Sequence, residues 1–152
     1  MRARVLVVDD DEAYLAGMKE LLEEAGYDVC VASSFEFGKQ ELREHAPDLL
    51  IVDVRLGAFN GLQLISTGQL HIPAIVVTGF DDTVLRADAN IFGASYIVKP
   101  ISPATLLALI DQKLAVAAAL NRGDDHAMMI QEPPATLEHA GLPGAQSLPE
   151  SD

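Results

Sequence analysis

The chain has 152 residues, enough for one domain with a hydrophobic core and a modest appendage. Residues 1–122 hold 17 acidic and 10 basic residues, and residues 123–152 hold six acidic and no basic ones. This charge excludes the clustered Lys and Arg that nucleic acid or an anionic membrane surface would need. No stretch approaches the roughly 20 apolar residues of a membrane span, and no signal-like segment opens the chain, which together predict a cytoplasmic protein.

Short apolar runs rich in β-branched residues alternate with segments of helical periodicity. The predicted strands are Arg4–Asp9, Tyr27–Ala32, Asp48–Asp53, Ala74–Thr78 and Ser95–Val98. The predicted helices run over Glu12–Ala25, Phe35–Glu44, from after Asn60 to about Gln69, over about Asp82–Phe92, and from after Ser102 to about Leu120. Five strands that alternate with five helices predict an α/β fold, with a parallel sheet covered by helices on both faces.

The last thirty residues differ in composition from the rest. Residues 123–152 mix Pro, Gly, Ser and acids, and their composition predicts a disordered acidic tail that follows a folded domain over residues 1–122. The Ala- and Leu-rich segment Leu114–Leu120 is either the plain end of the fifth helix or a contact in a homodimer.

Polar side chains converge at one edge of the predicted sheet. The first strand ends in Asp9 and Asp10, the third in Asp53, the fourth in Thr78 and the fifth in Lys99. The carboxyl ends of parallel strands meet at the edge where ligands bind in such sheets. Four strands therefore bring three carboxylates, a hydroxyl and an amine to one place.

These carboxylates would repel one another unless a cation lies between them. Two like charges about 4 Å apart cost about 4 kcal/mol at an effective dielectric near 20. A set of oxygen ligands with room for water suits Mg²⁺, which also attracts phosphate oxygens. The amine and the hydroxyl can then contact further phosphate oxygens, while one carboxylate is free to act as the nucleophile.

The motifs around these residues resemble the receiver domain of bacterial two-component response regulators. They read VLVVDDD (5–11), LLIVDVRLGAFNGL (49–62), IPAIVVTG (72–79) and GASYIVKP (93–100), and they span most of residues 4–120. The resemblance implies a flavodoxin-like (βα)5 fold with strand order 2-1-3-4-5. It also implies a phosphorelay function, in which a sensor histidine kinase or a phosphotransfer protein donates a phosphoryl group.

The resemblance assigns a role to each residue at the sheet edge. Asp53 would be the phosphoacceptor, and Thr78 and Lys99 would contact the phosphoryl group. Asp10 would bind Mg²⁺ directly, Asp9 would help through a water molecule, and Asp53 and the backbone carbonyl of Arg55 would complete the ligand set. Asp11, which follows the acidic pair, would be solvated.

The resemblance further implies a conformational switch and a cis peptide bond. Tyr96 would turn inward as Thr78 moves toward the phosphate, and the surface of the fourth helix, fifth strand and fifth helix would change for an unknown downstream partner. Lys99–Pro100 is the candidate cis bond. The chain would be a signalling phosphoacceptor of the stand-alone type, catalysing only its own phosphorylation and dephosphorylation.

Three other functions compete with this interpretation. A small phosphatase of the haloacid dehalogenase type would use Asp9 and Asp11, but it would leave Asp53 without a role. A flavodoxin-like FMN carrier would need a phosphate loop where this chain has four consecutive acids. A receiver fold that is no longer phosphorylated would not need all the expected side chains.

Overall fold

The computed structural model describes residues 2–67 and 72–122. Its strands are β1 (Arg4–Val8), β2 (Asp28–Ala32), β3 (Leu49–Val52), β4 (Arg55–Leu56), β5 (Phe59–Asn60), β6 (Ala74–Thr78) and β7 (Ser95–Val98). Its helices are α1 (Glu12–Glu24), α2 (Phe35–His45), α3 (Leu62–Thr67), α4 (Thr83–Ile91) and α5 (Pro103–Asn121). The expected end of the third helix near Gln69 and the predicted tail 123–152 lie outside the described residues.

The main sheet has five parallel strands in the order β2-β1-β3-β6-β7. This order confirms the predicted flavodoxin-like topology, because the five sheet strands follow one another as 2-1-3-4-5. The register pairs Val8 with Val52 and Thr78 with Val98. Asp9, Asp53 and Lys99 each follow the last residue of a strand, so the register brings them to the same edge.

Alternate strand residues point to opposite faces of the sheet and form two cores. Leu6 and Val8 of β1 belong to the core that α2, α3 and α4 cover, whereas Val5 and Val7 belong to the core that α1 and α5 cover. All of β1 after Arg4 and all of β3 and β6 are buried. The near-continuous apolar runs therefore reflect a sheet buried on both faces.

Side-chain caps begin most of the helices. Asp11 caps α1, Asp82 caps α4, and Ser34, one of the two predicted caps, accepts a hydrogen bond from the first turn of α2. The Ser102 hydroxyl accepts from the backbone N–H of Thr105 at 3.1 Å and starts α5 in the same way. The observed helix bounds lie within about one residue of the predicted ones wherever both are described.

No pattern in the sequence indicated the short antiparallel hairpin after β3. β4 and β5 pair Arg55 with Asn60 and Leu56 with Phe59 around a tight turn. Gly57 in this turn has φ +61°, a conformation that glycine adopts without strain. Strands of two residues are too short for a periodicity to reveal, but this pair controls how the chain leaves Asp53.

Helix α5 corrects the expectation that no segment could span a membrane. Pro103–Asn121 has 19 residues and a mean hydropathy of 1.4, so length and composition alone would allow it to cross. Leu106 and Ile110 on this helix are buried in the core beneath the sheet. Core helices of soluble proteins pass the same test of length and hydropathy, so it carries little weight here.

The chain divides into two compact units. Met1–Leu114 forms the first, which contains the whole sheet, and the second begins at Ala115. Within the described residues, the second unit consists of the last part of α5 and Arg122. The domain boundary predicted after residue 122 stays a prediction.

Candidate functional site

The carboxyl edge of the sheet brings together the residues that the sequence singled out. The backbone N–H of Asp53 donates to the Val8 carbonyl at 3.0 Å, which fixes the start of the loop after β3 against β1. The backbone N–H of Lys99 donates to the Thr78 carbonyl at 2.7 Å. The sheet ladder thus continues one residue beyond the strands and orients both side chains.

Lys99 lies between two carboxylates. Its Nζ is 2.8 Å from Asp9 Oδ2 and 3.4 Å from Asp53 Oδ2. Burial by itself would lower the pKa of Lys99, but the hydrogen bond to Asp9 and the charges of Asp53 and Asp9 outweigh burial and raise that pKa. Lys99 therefore stays an ammonium and supplies positive charge directly beside Asp53.

The charge of Lys99 does not offset the effect of burial on the Asp53 carboxyl group. Burial raises the pKa of Asp53, although the backbone N–H of Arg55 and the charge of Lys99 act in the opposite direction. The pairing with Lys99 alone would lower that pKa, so the net direction shows that desolvation of the carboxylate dominates. A second positive charge near Asp53 would stabilise its ionised form.

Thr78 presents a hydroxyl group with no protein partner. The residue is 1% exposed, and its Oγ1 is the one buried side-chain oxygen or nitrogen without a hydrogen bond in the described part of the chain. An unpaired buried polar group costs about 1–3 kcal/mol, so native proteins rarely keep one without a reason. A phosphoryl oxygen brought to this edge would give the hydroxyl an acceptor.

The two remaining acids of the motif differ in their surroundings. The Asp11 side chain accepts hydrogen bonds from the backbone N–H groups of Ala13 and Tyr14 and so caps α1. Its own N–H donates to Asp9 Oδ1 at 2.9 Å. Asp10 is exposed. Asp11 therefore serves the helix start, while the carboxylate of Asp10 faces solvent.

The donor set fits Mg²⁺ in an open arrangement. Mg²⁺ prefers oxygen ligands and keeps several waters, so one or two carboxylates and a carbonyl are sufficient. Within residues 2–67 and 72–122, no three Asp, Glu, His or Cys side chains form a ready-made metal cage. Of the carboxylate oxygens of Asp9 and Asp53, the ammonium of Lys99 contacts only the two Oδ2 atoms.

Tyr96 is attached to the loop that follows Thr78. Its hydroxyl donates to the Phe80 carbonyl at 2.6 Å, and the Arg86 guanidinium lies 4.6 Å from its ring centroid. Arg86 is itself paired with Asp81 at 2.9 Å. Tyr96 is thus a half-buried strand residue whose hydroxyl has a backbone partner.

Phe80 also contacts Arg55 in the hairpin after β3, and the sequence did not indicate this contact. The guanidinium of Arg55 lies 3.6 Å from the centroid of the Phe80 ring, well within the range of a cation–π contact. The same residue thus meets Arg55 through its ring and Tyr96 through its carbonyl. Nothing in the sequence linked Phe80, an exposed aromatic next to Gly79, to Arg55.

Three further residues near the site escaped sequence reasoning. Tyr14 lies in the predicted first helix, yet its ring centroid is 4.0 Å from Lys99 Nζ. A Cβ at Gly61 would lie 1.9 Å from the Asp53 carbonyl oxygen, so only glycine fits there. Phe59 stacks on Phe35 with ring centroids 4.6 Å apart, which ties the hairpin to α2.

The Lys99–Pro100 bond is cis, as predicted.

Comparison with known proteins agrees with this geometry. Residues 5–111 match the family model described as the response regulator receiver domain. The alginate biosynthesis transcriptional regulatory protein AlgB of Pseudomonas aeruginosa is 34% identical over 119 residues, which are 76% of this chain and 26% of that protein. The alkaline phosphatase synthesis transcriptional regulatory protein PhoP of Bacillus subtilis is 32% identical over 107 residues, 68% of this chain and 45% of that one. The chain therefore spans less than half of the length of either relative.

A solved structure gives the same result for the fold. The CheY-like response regulator receiver domain protein of Methanospirillum hungatei is 31% identical, with a TM-score of 0.73, and the match covers 76% of this chain and 95% of that one. The signal receiver domain of a LuxO repressor protein of Vibrio parahaemolyticus reaches a TM-score of 0.76 at 21% identity, which supports the fold alone.

Proposed function

The chain belongs to the response regulator receiver domain family of two-component systems, and we propose that Asp53 is the residue that takes up the phosphoryl group. One observation carries this assignment: the Lys99 ammonium is shared between Asp9 and Asp53, at 2.8 and 3.4 Å. The Asp9 side chain is 3% exposed, whereas the Asp53 side chain is 12% exposed. Of the two carboxylates, Asp53 is therefore the one that a donor can reach.

The transfer itself needs little more than position and charge. A carboxylate oxygen of Asp53 attacks the phosphorus of a phosphohistidine, the new O–P bond forms, and the P–N bond breaks with its electron pair left on the imidazole. Lys99 stays protonated and balances charge on the phosphoryl oxygens. The buried Thr78 hydroxyl donates to another phosphoryl oxygen and gains the partner it lacks.

Asp10, Asp53 and the Arg55 carbonyl would hold Mg²⁺, with Asp9 in support. When bound, the ion supplies positive charge that offsets both the carboxylates and the phosphoryl oxygens. The raised pKa of Asp53, which burial causes, supports the need for that charge. Later attack by water on the phosphorus releases phosphate and restores Asp53.

The output surface is the second part of the proposal. We infer that movement of Thr78 toward the phosphoryl group alters the loop that holds Tyr96, because Phe80 links the two. The surface affected is α4, β7 and the start of α5. Val84 and Ile91 on α4 are 67% and 77% exposed, so this surface offers apolar area to a partner protein. The phosphodonor is a histidine kinase or a phosphotransfer protein of the cytoplasm.

The phosphatase alternative gains no support from the geometry. It would need Asp11 as a second acidic group facing the substrate, but Asp11 accepts two backbone N–H groups at the start of α1. The family match points the same way. Asp53, which that alternative leaves idle, is the carboxylate beside Lys99.

Intact-mass measurement after incubation with Mg²⁺ and acetyl phosphate tests the proposal. We expect one phosphoryl increment on the wild type, none on Asp53→Asn, and a normal increment on the control Asp28→Asn. Asp28 is exposed at the opposite edge of the sheet and pairs only loosely with Arg2, at 3.6 Å. Turnover of simple phosphate esters that survives Asp53→Asn and fails in Asp9→Asn would instead support the phosphatase.

A further inference from the structure

The ammonium of Lys99 has a third neighbour besides the two carboxylates. Its Nζ lies 4.0 Å from the centroid of the Tyr14 ring. A cation within about 6 Å of an aromatic centroid is attracted by the electron-rich face of the ring. In the described part of the chain, the contacts of this ammonium are therefore Asp9, Asp53 and the ring of Tyr14.

The position of the ring is tied to Asp9 by the start of α1. Asp9 Oδ1 accepts from the N–H of Asp11 at 2.9 Å, and Asp11 Oδ1 accepts from the N–H of Tyr14 at 3.2 Å. Lys99 connects the two ends of this chain of contacts, because its Nζ contacts the Tyr14 ring and donates to Asp9 Oδ2. The Tyr14 ring thus belongs to a capped helix turn, whose hydrogen bonds hold the ring where the Lys99 ammonium contacts it.

The three contacts of Lys99 differ in what happens to them during phosphoryl transfer. Asp53 becomes covalently modified, and Asp9 lies in the group of acids that would support Mg²⁺. The ring of Tyr14 takes part in neither change. It is the one contact that can keep the ammonium in place from the free state to the phosphorylated state.

We propose that Tyr14 is a positioning residue for phosphoryl transfer, which holds the Lys99 ammonium against Asp53 through the face of its ring. This inference rests on the proposed role of Lys99 at the phosphoryl group. The hydroxyl of Tyr14 has no part in it, so phenylalanine should replace tyrosine and leucine should not. Burial, the first cause of the raised pKa of Tyr14, agrees with a ring packed into the site.

The rate of phosphorylation by acetyl phosphate is the first measurement. We expect Tyr14→Leu to lower it about fivefold, which corresponds to about 1 kcal/mol for a partly desolvated cation–π contact. Tyr14→Phe should stay within about twofold of the wild type, since it keeps the ring face. Tyr27→Leu is the matched control, because Tyr27 is a tyrosine whose hydroxyl bonds to Asp111, away from the acceptor edge.

The second measurement does not depend on phosphorylation. The NMR signals of the Lys99 side chain, assigned by their loss in Lys99→Ala, should carry a ring-current shift in the free protein. That shift should persist in Tyr14→Phe and Tyr27→Leu and vanish in Tyr14→Leu. A loss of stability in Tyr14→Leu would not by itself produce this pattern in the folded protein.

A double-mutant cycle completes the test. Affinity for the beryllium fluoride mimic is compared with and without Tyr14→Leu, in the wild type and in Lys99→Ala. We expect the loss of affinity caused by Tyr14→Leu to disappear when Lys99 is absent, because Tyr14 acts through it.

Several results would overturn the proposal. One is that Tyr14→Leu lowers the affinity for beryllium fluoride equally with and without Lys99. Another is that Tyr14→Phe is phosphorylated as slowly as Tyr14→Leu. The third is that the NMR signals of Lys99 do not change in Tyr14→Leu. A wild type that gains no phosphoryl group would refute the proposed function itself, and with it the role of Tyr14 there. The Lys99 signals distinguish these failures, because they report the contact in the free protein.

Discussion

Gly61→Ala is the substitution whose effect the structure predicts most directly. A Cβ built at Gly61 lies 1.9 Å from the carbonyl oxygen of Asp53 and 2.9 Å from Val52 Cγ2, whereas real Cβ contacts essentially never fall below 3.0 Å. The clash is with the backbone, so no rotamer change relieves it. Gly61 or Asp53 must move by about 1 Å, and Gly61 also donates to the Val54 carbonyl in the same loop.

This displacement should affect both stability and phosphoryl transfer. Overpacking in a well-packed region costs about 1–3 kcal/mol, and a misplacement of about 1 Å at a reacting group can lower a rate about 100-fold. We expect Gly61→Ala to lower the free energy of unfolding by about 2–3 kcal/mol and the phosphorylation rate by about two orders of magnitude. Chemical denaturation followed by circular dichroism suits this chain, which has no Trp.

Gly17→Ala provides a matched control for the same chemical change. Gly17 lies within α1, and a Cβ there would meet nothing within 4 Å. Alanine in an open helical position should stabilise the protein by up to about 1 kcal/mol. Gly61→Ala with the stability and phosphorylation rate of Gly17→Ala would refute the close-approach argument, as the two variants would then be equivalent.

The remaining predictions concern three other sites. Thr78→Val removes a buried hydroxyl without a partner, so it should raise the free energy of unfolding by about 1 kcal/mol in urea denaturation. The same variant should bind beryllium fluoride more weakly. A Thr78→Val variant that is less stable than the wild type would contradict this prediction. Burial, and then the hydrogen bond to Asp111 and its charge, raise the pKa of Tyr27 to about 12, so the tyrosinate absorbance that appears near that pH in a spectrophotometric titration should decrease in Tyr27→Phe. Because that pKa exceeds the unfolded value of 10.0, the contribution of Tyr27 to stability is complete below pH 10.0 and should be lost as the pH rises to about 12; equal pH dependence in Tyr27→Phe would count against the hydrogen bond. In a double-mutant cycle at low salt, Arg55→Ala and Phe80→Ala should show a coupling of about 0.5–1 kcal/mol in unfolding free energy, and additivity would exclude the stack as a stabilising contact.

The strands and the acidic edge could be predicted because they depend on local patterns. Apolar runs gave the strands, and the rule that parallel strands end at one edge placed Asp9, Asp53, Thr78 and Lys99 together. The resemblance of the motifs added the order of the strands and the cis bond at Lys99–Pro100, both of which the structure bears out. The strands and the edge needed only the residues and their place in the chain, whereas the strand order and the cis bond needed the resemblance.

The contacts of Tyr14, Phe80 and Gly61 could not be predicted, because they depend on distances between loops. The apolar face of α1 accounts for Tyr14 in the sequence, and nothing there indicates that its ring meets a lysine 85 positions later. The ring of Phe80 and the guanidinium of Arg55 come from loops after different strands. Nothing in the sequence singled out Gly61, whose lack of a Cβ allows the chain to approach the Asp53 carbonyl.

The local costs of this domain gather at the edge that we assign to phosphoryl transfer. The Thr78 hydroxyl has no partner, and burial disfavours the ionised form of Asp53. The backbone of Gly61 lies so close to the Asp53 carbonyl that no Cβ fits there. The strands β1, β3 and β6 are instead apolar and buried almost throughout. Residues that lower stability persist where function requires them, so a stabilised Thr78→Val that has lost binding would show that this edge was selected for its ligand.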